Sequence, residues 1–224
     1  YSNEEKAILI EEFIEGTEFT VDGVKTSKEY VITAIAEKEH YKYNPNVANR
    51  LIFKKHSTRY DYDRLRRENA GMIDIMGFPF GLTHTEYKYK DGKFYIIETA
   101  ARGGGTKISS DIAMLVSGIN CNRLYLNILT NEQDEIIREN HHECAVLGFF
   151  DFTAGQVTEI SGVEEAKAQQ GVHELKLEVK IGDQIEWAND DRSRCGYYII
   201  YADSIEELDY REGRLKETVK VVIK

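Results

Sequence analysis

The sequence predicts an α+β fold, an antiparallel sheet with helices followed by a small second α+β unit. Three observations predict it. Short β-branched and aromatic runs separated by turn residues fill residues 8–100. Helical periodicity is confined to short windows, chiefly 61–76 and 108–129. From about Asn131 the pattern changes to one strongly apolar run and several glycine-punctuated short elements. The expected division is therefore 1–130 and 131–224, and 224 residues suffice for a sizeable core.

In order, Ser2 to Lys6 is a short polar lead, and Ala7 to Ile10 is already an apolar strand. The chain does not begin like a domain, which suggests a piece of a longer protein. Residues 8–23 read as strand, turn at Gly16, strand; taken alone, an ordinary hairpin with exposed glutamates is the better account of them. Tyr30 to Glu37 alternates as a further strand. Lys38 to Lys55 is polar and irregular around Asn44-Pro45-Asn46, and reads as a solvated or substrate-facing loop holding Arg50, Lys54, Lys55 and His56. Asp61 to Met76 is helical, capped by Asp61 or Asp63 and ended by Gly77. Ile108 to Val116 starts a helix with serine or aspartate as cap, Gly118 interrupts it, and Asn122 to Leu129 continues it. The second half offers strands near 143–152, 174–179, 184–187 and 195–202, and helices near 163–169 and 204–213.

The chemistry centres on Tyr95-Ile96-Ile97-Glu98-Thr99-Ala100-Ala101-Arg102-Gly103-Gly104-Gly105. An apolar strand delivers the Glu98 carboxylate to a chain end beside an always-charged guanidinium. Glycines allow positive φ and close backbone approach to a ligand. Magnesium takes one or two carboxylates plus phosphate oxygens, and arginine takes the phosphate. A strand, a flexible turn and a surface ion pair would read the same way. Glu86, in the strand before Lys90-Asp91-Gly92-Lys93, adds a second carboxylate. Side chains alternate, so a two-residue loop would put Glu86 and Glu98 on opposite faces. A three-residue loop with Gly92 left-handed puts them on one face, where a divalent cation between them relieves their repulsion. His84 shares the face of Glu86 as a neighbour of the site or a structural histidine.

Lys plus Arg number 29 against 39 Asp plus Glu, a net charge of −10, which argues against a nucleic-acid surface as the main function. The three cysteines, Cys121, Cys144 and Cys195, form no zinc or C-x-x-C pattern and read as reduced. With no bilayer-length apolar run and no signal peptide, the expected place is the cytoplasm, without a membrane partner. The adjacent His141 and His142 diverge and read as surface.

Glu11-Glu12-Phe13-Ile14-Glu15-Gly16-Thr17-Glu18 resembles the nucleotide hinge of the ATP-grasp superfamily, E-x-F-I-x-G-x-E, and Glu98 to Arg102 is similar to its E-x-N-x-R. The resemblance spans residues 8 to about 120. It implies ATP and Mg²⁺ (or Mn²⁺) as cofactors. Glu11, Phe13 and Ile14 then line adenine, Glu18 takes the ribose hydroxyls, Glu86 and Glu98 bind metal, and Arg102 with Gly103, Gly104 and Gly105 steadies the transferred phosphate. Ala100 replaces the usual asparagine and cannot bind metal. The glycine-rich ending looks most like the carboxylate–amine ligases, including amino-acid, purine and carbamoyl-phosphate branches. Such enzymes phosphorylate a small carboxylate and let an amine attack the acyl phosphate; a homodimer is compatible. The family's upstream substrate domain and lid are not in this sequence, so weak nucleotide binding and no turnover are expected of residues 1–224 alone. A non-catalytic regulatory module and a split subunit needing a partner chain are the rival expectations.

Overall fold

The structure, a computed structural model, describes residues 8–132 and 135–224. Ser2 to Ala7 therefore lie outside the described residues. Eleven strands are described: β1 Thr17–Lys25, β2 Tyr30–Tyr41, β3 Asn44–Lys54, β4 Gly81–Lys90, β5 Lys93–Ala100, β6 Cys144–Phe149, β7 Gly155–Ser161, β8 Val172–Leu177, β9 Gln184–Ile185, β10 Gly196–Ala202 and β11 Lys220–Ile223. The helices are α1 Tyr62–Met76, α2 Ala113–Ser117, α3 Cys121–Leu129, α4 Val163–Lys167 and α5 Ile205–Thr218.

Eight strands form one sheet in the order β5-β4-β1-β2-β3-β6-β10-β8, and β11-β7-β9 form a second. Every pair along the large sheet is antiparallel. The division drawn at residue 130 runs through this sheet, because β3 hydrogen-bonds β6 from Arg50↔Gly148 to Lys54↔Cys144.

Alternation sorts the side chains into two faces. On one face of β1, β2 and β4, Phe19, Val21, Ile35 and Tyr87 pack with Tyr60, Tyr62 and Leu65 at α1. The other face carries Glu18, Thr20, Asp22, Lys38, His84 and Glu86, aligned by the pairs Glu18↔Lys38, Thr20↔Glu86 and Asp22↔His84. Further along, Leu51, Phe53, Leu147 and Ile199 bury that same face beneath residues 108–117. Ile52, Val146, Tyr198 and Ile200 bury the reverse face under Leu208 and Leu215 of α5. Glu212 of α5, 4% exposed, reaches this second core and accepts from Tyr198 OH (2.6 Å) and Arg50 Nε (2.9 Å). Gly148 makes room for that tyrosine, whose ring atoms lie where a Cβ would stand.

Local signals set α1 as expected. Asp61 caps it by accepting from the Arg64 amide at 2.8 Å, and Gly77 closes it left-handed at φ 69°. Other expectations need correction. Residues 8–15 form no strand; Ile8, Leu9, Ile10 and Phe13 stand exposed. Lys38 to Lys55 is no loop. It is the end of β2, a tight turn at Lys42-Tyr43, and β3. Its polar residues sit at strand positions because ion pairs such as Lys54–Glu37 (3.3 Å) satisfy them. Pro45 is tolerated next to the turn, where strands accept proline. Neither serine nor aspartate caps the helix after the glycines. Ser109, Ser110 and Asp111 lie inside a π-helical turn, Ile108–Ile112, that begins after a left-handed Lys107. Cys121, Cys144 and Cys195 are free and buried.

The β4–β5 turn is Asp91-Gly92 alone, with φ 49° and 77°, so the three-residue loop is wrong. Both residues have the positive φ of a tight hairpin turn. The odd residue is nevertheless present, in the strand. The register runs Tyr87↔Ile96 and then Glu86↔Glu98, which leaves Ile97 as a bulge. Glu86 and Glu98 therefore face each other as strand partners, by a route different from the one expected.

Candidate active site

The polar face of β1, β2 and β4 is one charge network. Lys38 Nζ donates to Glu18 Oε1 (2.5 Å) and Glu86 Oε1 (2.9 Å). Lys88 Nζ lies 2.8 Å from Glu18 Oε2. His84 bridges Asp22 Oδ1 (3.0 Å, Nδ1) and Glu86 Oε1 (3.4 Å, Nε2). The Gly104 amide also donates to Asp22 Oδ1, at 2.9 Å.

These contacts set the charge states. For Glu18, burial works against ionisation, but His40, Lys38 and Lys88 outweigh it and hold the carboxyl far below its usual range. The hydrogen bond from His84 leads the causes that lower Glu86, with Lys38 adding to it against burial. For His84, burial disfavours the cation, yet Asp22 and Glu86 prevail and push it up to about 9. Its folded value exceeds the ordinary 6.5, so its stabilisation is complete below about pH 6.5 and is lost as pH rises through about 9. Urea unfolding is expected to show stability falling by up to about 3 kcal/mol across that interval. His84→Asn should flatten the fall; an unchanged slope in the variant would rule this origin out.

A cavity of about 320 Å³ opens on this face, and its lining includes Glu18, Lys38, His84, Glu86, Arg102 and Gly105. Four residues predicted from sequence thus converge: Glu18, Glu86, Arg102 and Gly105. Glu98 is Cα-paired with Glu86 but exposed, outside the lining. Glu11, Phe13 and Ile14 precede β1 and are also outside it; Glu11 and Phe13 are exposed and Ile14 is half-buried. Arg102 is exposed and donates to the Gly103 carbonyl at 3.0 Å. The glycines act through space, not through φ. Gly103, Gly104 and Gly105 lack the positive φ expected of them; Thr106 (40°) and Lys107 (67°) adopt it instead. A Cβ on Gly104 would meet Asp22 Oδ1 at 2.5 Å, whereas one on Gly105 would meet nothing within 4 Å.

Residues 1–111 match the ATP-grasp domain family, and residues 148–224 match L-amino acid ligase C-terminal domain 2. The chain belongs to the ATP-grasp superfamily. The L-amino acid ligase from Bacillus licheniformis is 26% identical with a TM-score of 0.78, over 95% of this chain and 53% of that one. Phosphoribosylglycinamide synthetase from Anaerococcus prevotii shares the fold at TM-score 0.79 and 16% identity, over 95% and 55%. An uncharacterized protein of Sinorhizobium fredii is 21% identical over 95% of this chain and 43% of its own. This ATP-grasp chain thus spans about half the length of those relatives.

Within this ATP-grasp chain, sequence reasoning missed Lys38, Asp22 and Arg194. Continuing the alternation of Ala34 and Ala36 by one step would have found Lys38. Arg194 enters from the second half, stacks 3.7 Å over Phe149, donates to the Ala48 carbonyl at 2.6 Å and lines the same cavity. The donor set also tests the metal. Among the described residues no three His, Cys, Asp or Glu groups converge on a metal position. Glu86 and Glu98, Cα partners across the β4–β5 ladder, are hard oxygen donors of the type magnesium takes, its shell being completed by phosphate and water oxygens. The buried, unpartnered Thr20 Oγ1 and Asp22 Oδ2 add uncommitted oxygens on the same face.

Proposed function

We propose that this chain carries the nucleotide and metal half of an ATP-dependent ligase that activates a small carboxylate as an acyl phosphate and joins it to an amine. The convergence of Glu18, Glu86 and Arg102 on one cavity, with Glu98 opposite Glu86, carries the reading. Glu18 takes the ribose hydroxyls, and Glu11, Phe13 and Ile14 take the adenine. Glu86 and Glu98 would hold Mg²⁺ (or Mn²⁺), which would supply positive charge to offset that of the phosphates. Arg102 and the Gly105 backbone face the transferred phosphate. Lys38 bridges Glu18 and Glu86 and helps keep both ionised. Phosphoryl transfer asks mainly for such positioning and charge neutralisation. The proposed setting is the cytoplasm, with a homodimer as a compatible assembly.

The test is ADP release by the native-length protein against a panel of carboxylate and amine pairs. One pair should support release, and Glu98→Gln should cut it by roughly 100-fold or more. Residues 1–224 alone are proposed to bind nucleotide weakly without turnover; robust turnover by them would refute this. Ala100, opposite His84 at the asparagine position, favours a second reading, a regulatory nucleotide-binding module. Tight magnesium-nucleotide binding that survives Glu98→Gln, with no release for any pair, would select it.

A further inference from the structure

A second cavity, of about 230 Å³, lies beyond the end of the β2–β3 ladder, whose last pair is Ala36↔Phe53. It shares no lining residue with the candidate active site. Ile32 to Ile35 border it, roughly 10–20 Å along β2 from Lys38. Its lining contains Lys54, Lys55, His56, Arg66, Arg138 and His141, and among the described residues no acidic side chain. In a chain of net charge −10 this concentration of basic side chains runs against the composition.

The cations are held in place. Arg138 donates to the Ser117 carbonyl at 3.1 Å, and Arg66 donates to the Lys55 carbonyl and, at 2.9 Å, to Asp63 Oδ1, which stands outside the lining. Each bond uses only part of a guanidinium with five N–H donors, so the remaining donors are fixed in direction. Lys55 and Lys54 pair with Glu143 (2.6 Å) and Glu37 (3.3 Å), which stand outside the lining. His141 spends Nδ1 on the Glu139 carbonyl at 3.0 Å and keeps Nε2. Like charges gathered around one cavity repel, and an anion with several oxygens relieves them through charge-assisted hydrogen bonds.

We infer that this cavity is a binding site for a small phosphate-bearing anion, separate from the nucleotide cleft. The probe is inorganic pyrophosphate, titrated calorimetrically into the native-length protein with EDTA present. Three proteins are compared: wild type, Lys55→Gln/Arg138→Gln and Arg102→Ala. One saturable site is expected, weakened about tenfold or more in the double variant and little changed by Arg102→Ala. Absence of saturable binding in wild type overturns the proposal. So does the reverse pattern, loss with Arg102→Ala and retention in the double variant, which assigns the anion to the cleft. Far-UV circular dichroism checks folding. Should the double variant fail to fold, the exposed Arg138→Gln alone is expected to weaken binding about threefold, and no change there also overturns the site.

Discussion

Glu212→Ala is expected to lower the unfolding free energy by about 3–5 kcal/mol, among the largest single-residue effects in this chain. Glu212 is buried between α5 and the sheet. It accepts from Arg50 and Tyr198, and Lys216 Nζ lies 2.8 Å away. Burial opposes its ionisation, but Lys216, Tyr198 and Arg50 together hold its pKa below the usual value. Removing the carboxylate leaves the Tyr198 hydroxyl buried without a partner. It also leaves the half-buried Arg50 guanidinium with only the exposed Glu39 and Asp209. A partly buried cation left with only exposed partners, together with the orphaned hydroxyl, is the costly outcome, more so than the loss of the pair itself. Arg50→Met/Glu212→Leu is therefore expected to be more stable than Glu212→Ala. Chemical denaturation of the three proteins decides it. A loss under about 1 kcal/mol for Glu212→Ala would mean that α5 is held by apolar packing alone.

Gly104→Ala is the second large effect, expected to cost about 2–3 kcal/mol and to weaken nucleotide binding as well. The added methyl would press on Asp22 Oδ1 at 2.5 Å, on His84 Nδ1 at 3.0 Å and on Ile108 Cβ at 3.0 Å. Asp22 is 2% exposed and already accepts from both neighbours, so it has nowhere to retreat. Relief must come from moving the glycine loop, which carries Arg102 and Gly105. Gly105→Ala is the control, since open space surrounds it, and it should change stability little. Equal effects at the two positions, in melting temperature and in nucleotide affinity, would show that loop flexibility matters rather than this contact.

What was legible in the sequence follows the range of the forces involved. Helix α1 could be read because Asp61 and Gly77 fix its ends within one turn of the chain. Asp91-Gly92 marks its hairpin for the same reason, whereas the extra residue expected in the turn sits in the strand at Ile97. Nothing local distinguishes Ile96 from Ile97; the choice depends on what each packs against. Strand β3 is hard to read because one of its two partners, β6, lies about a hundred residues away, and its polar residues mimic a loop unless Glu37 on β2 and the distant Glu212 are known to pair them. At the site, Glu18, Glu86 and Arg102 could be picked out by type and spacing. Lys38, Asp22 and Arg194 could not, because their significance lies in what stands across the sheet from them.

The β3–β6 ladder has a consequence for how the chain comes into being. Strand β3, inside the matched region 1–111, meets β6, which leads into the matched region 148–224, at a hydrogen-bonded seam in the middle of one sheet. Synthesis delivers the first five strands with the open edge of β3 exposed, and only the arrival of β6 closes it. Such a distant pairing must form against loop-closure entropy, which makes it slow. Until it forms, β3 is a template for strands of other chains. Arg50 and Lys54, the two charges on that edge, are the residues that guard it in the interval.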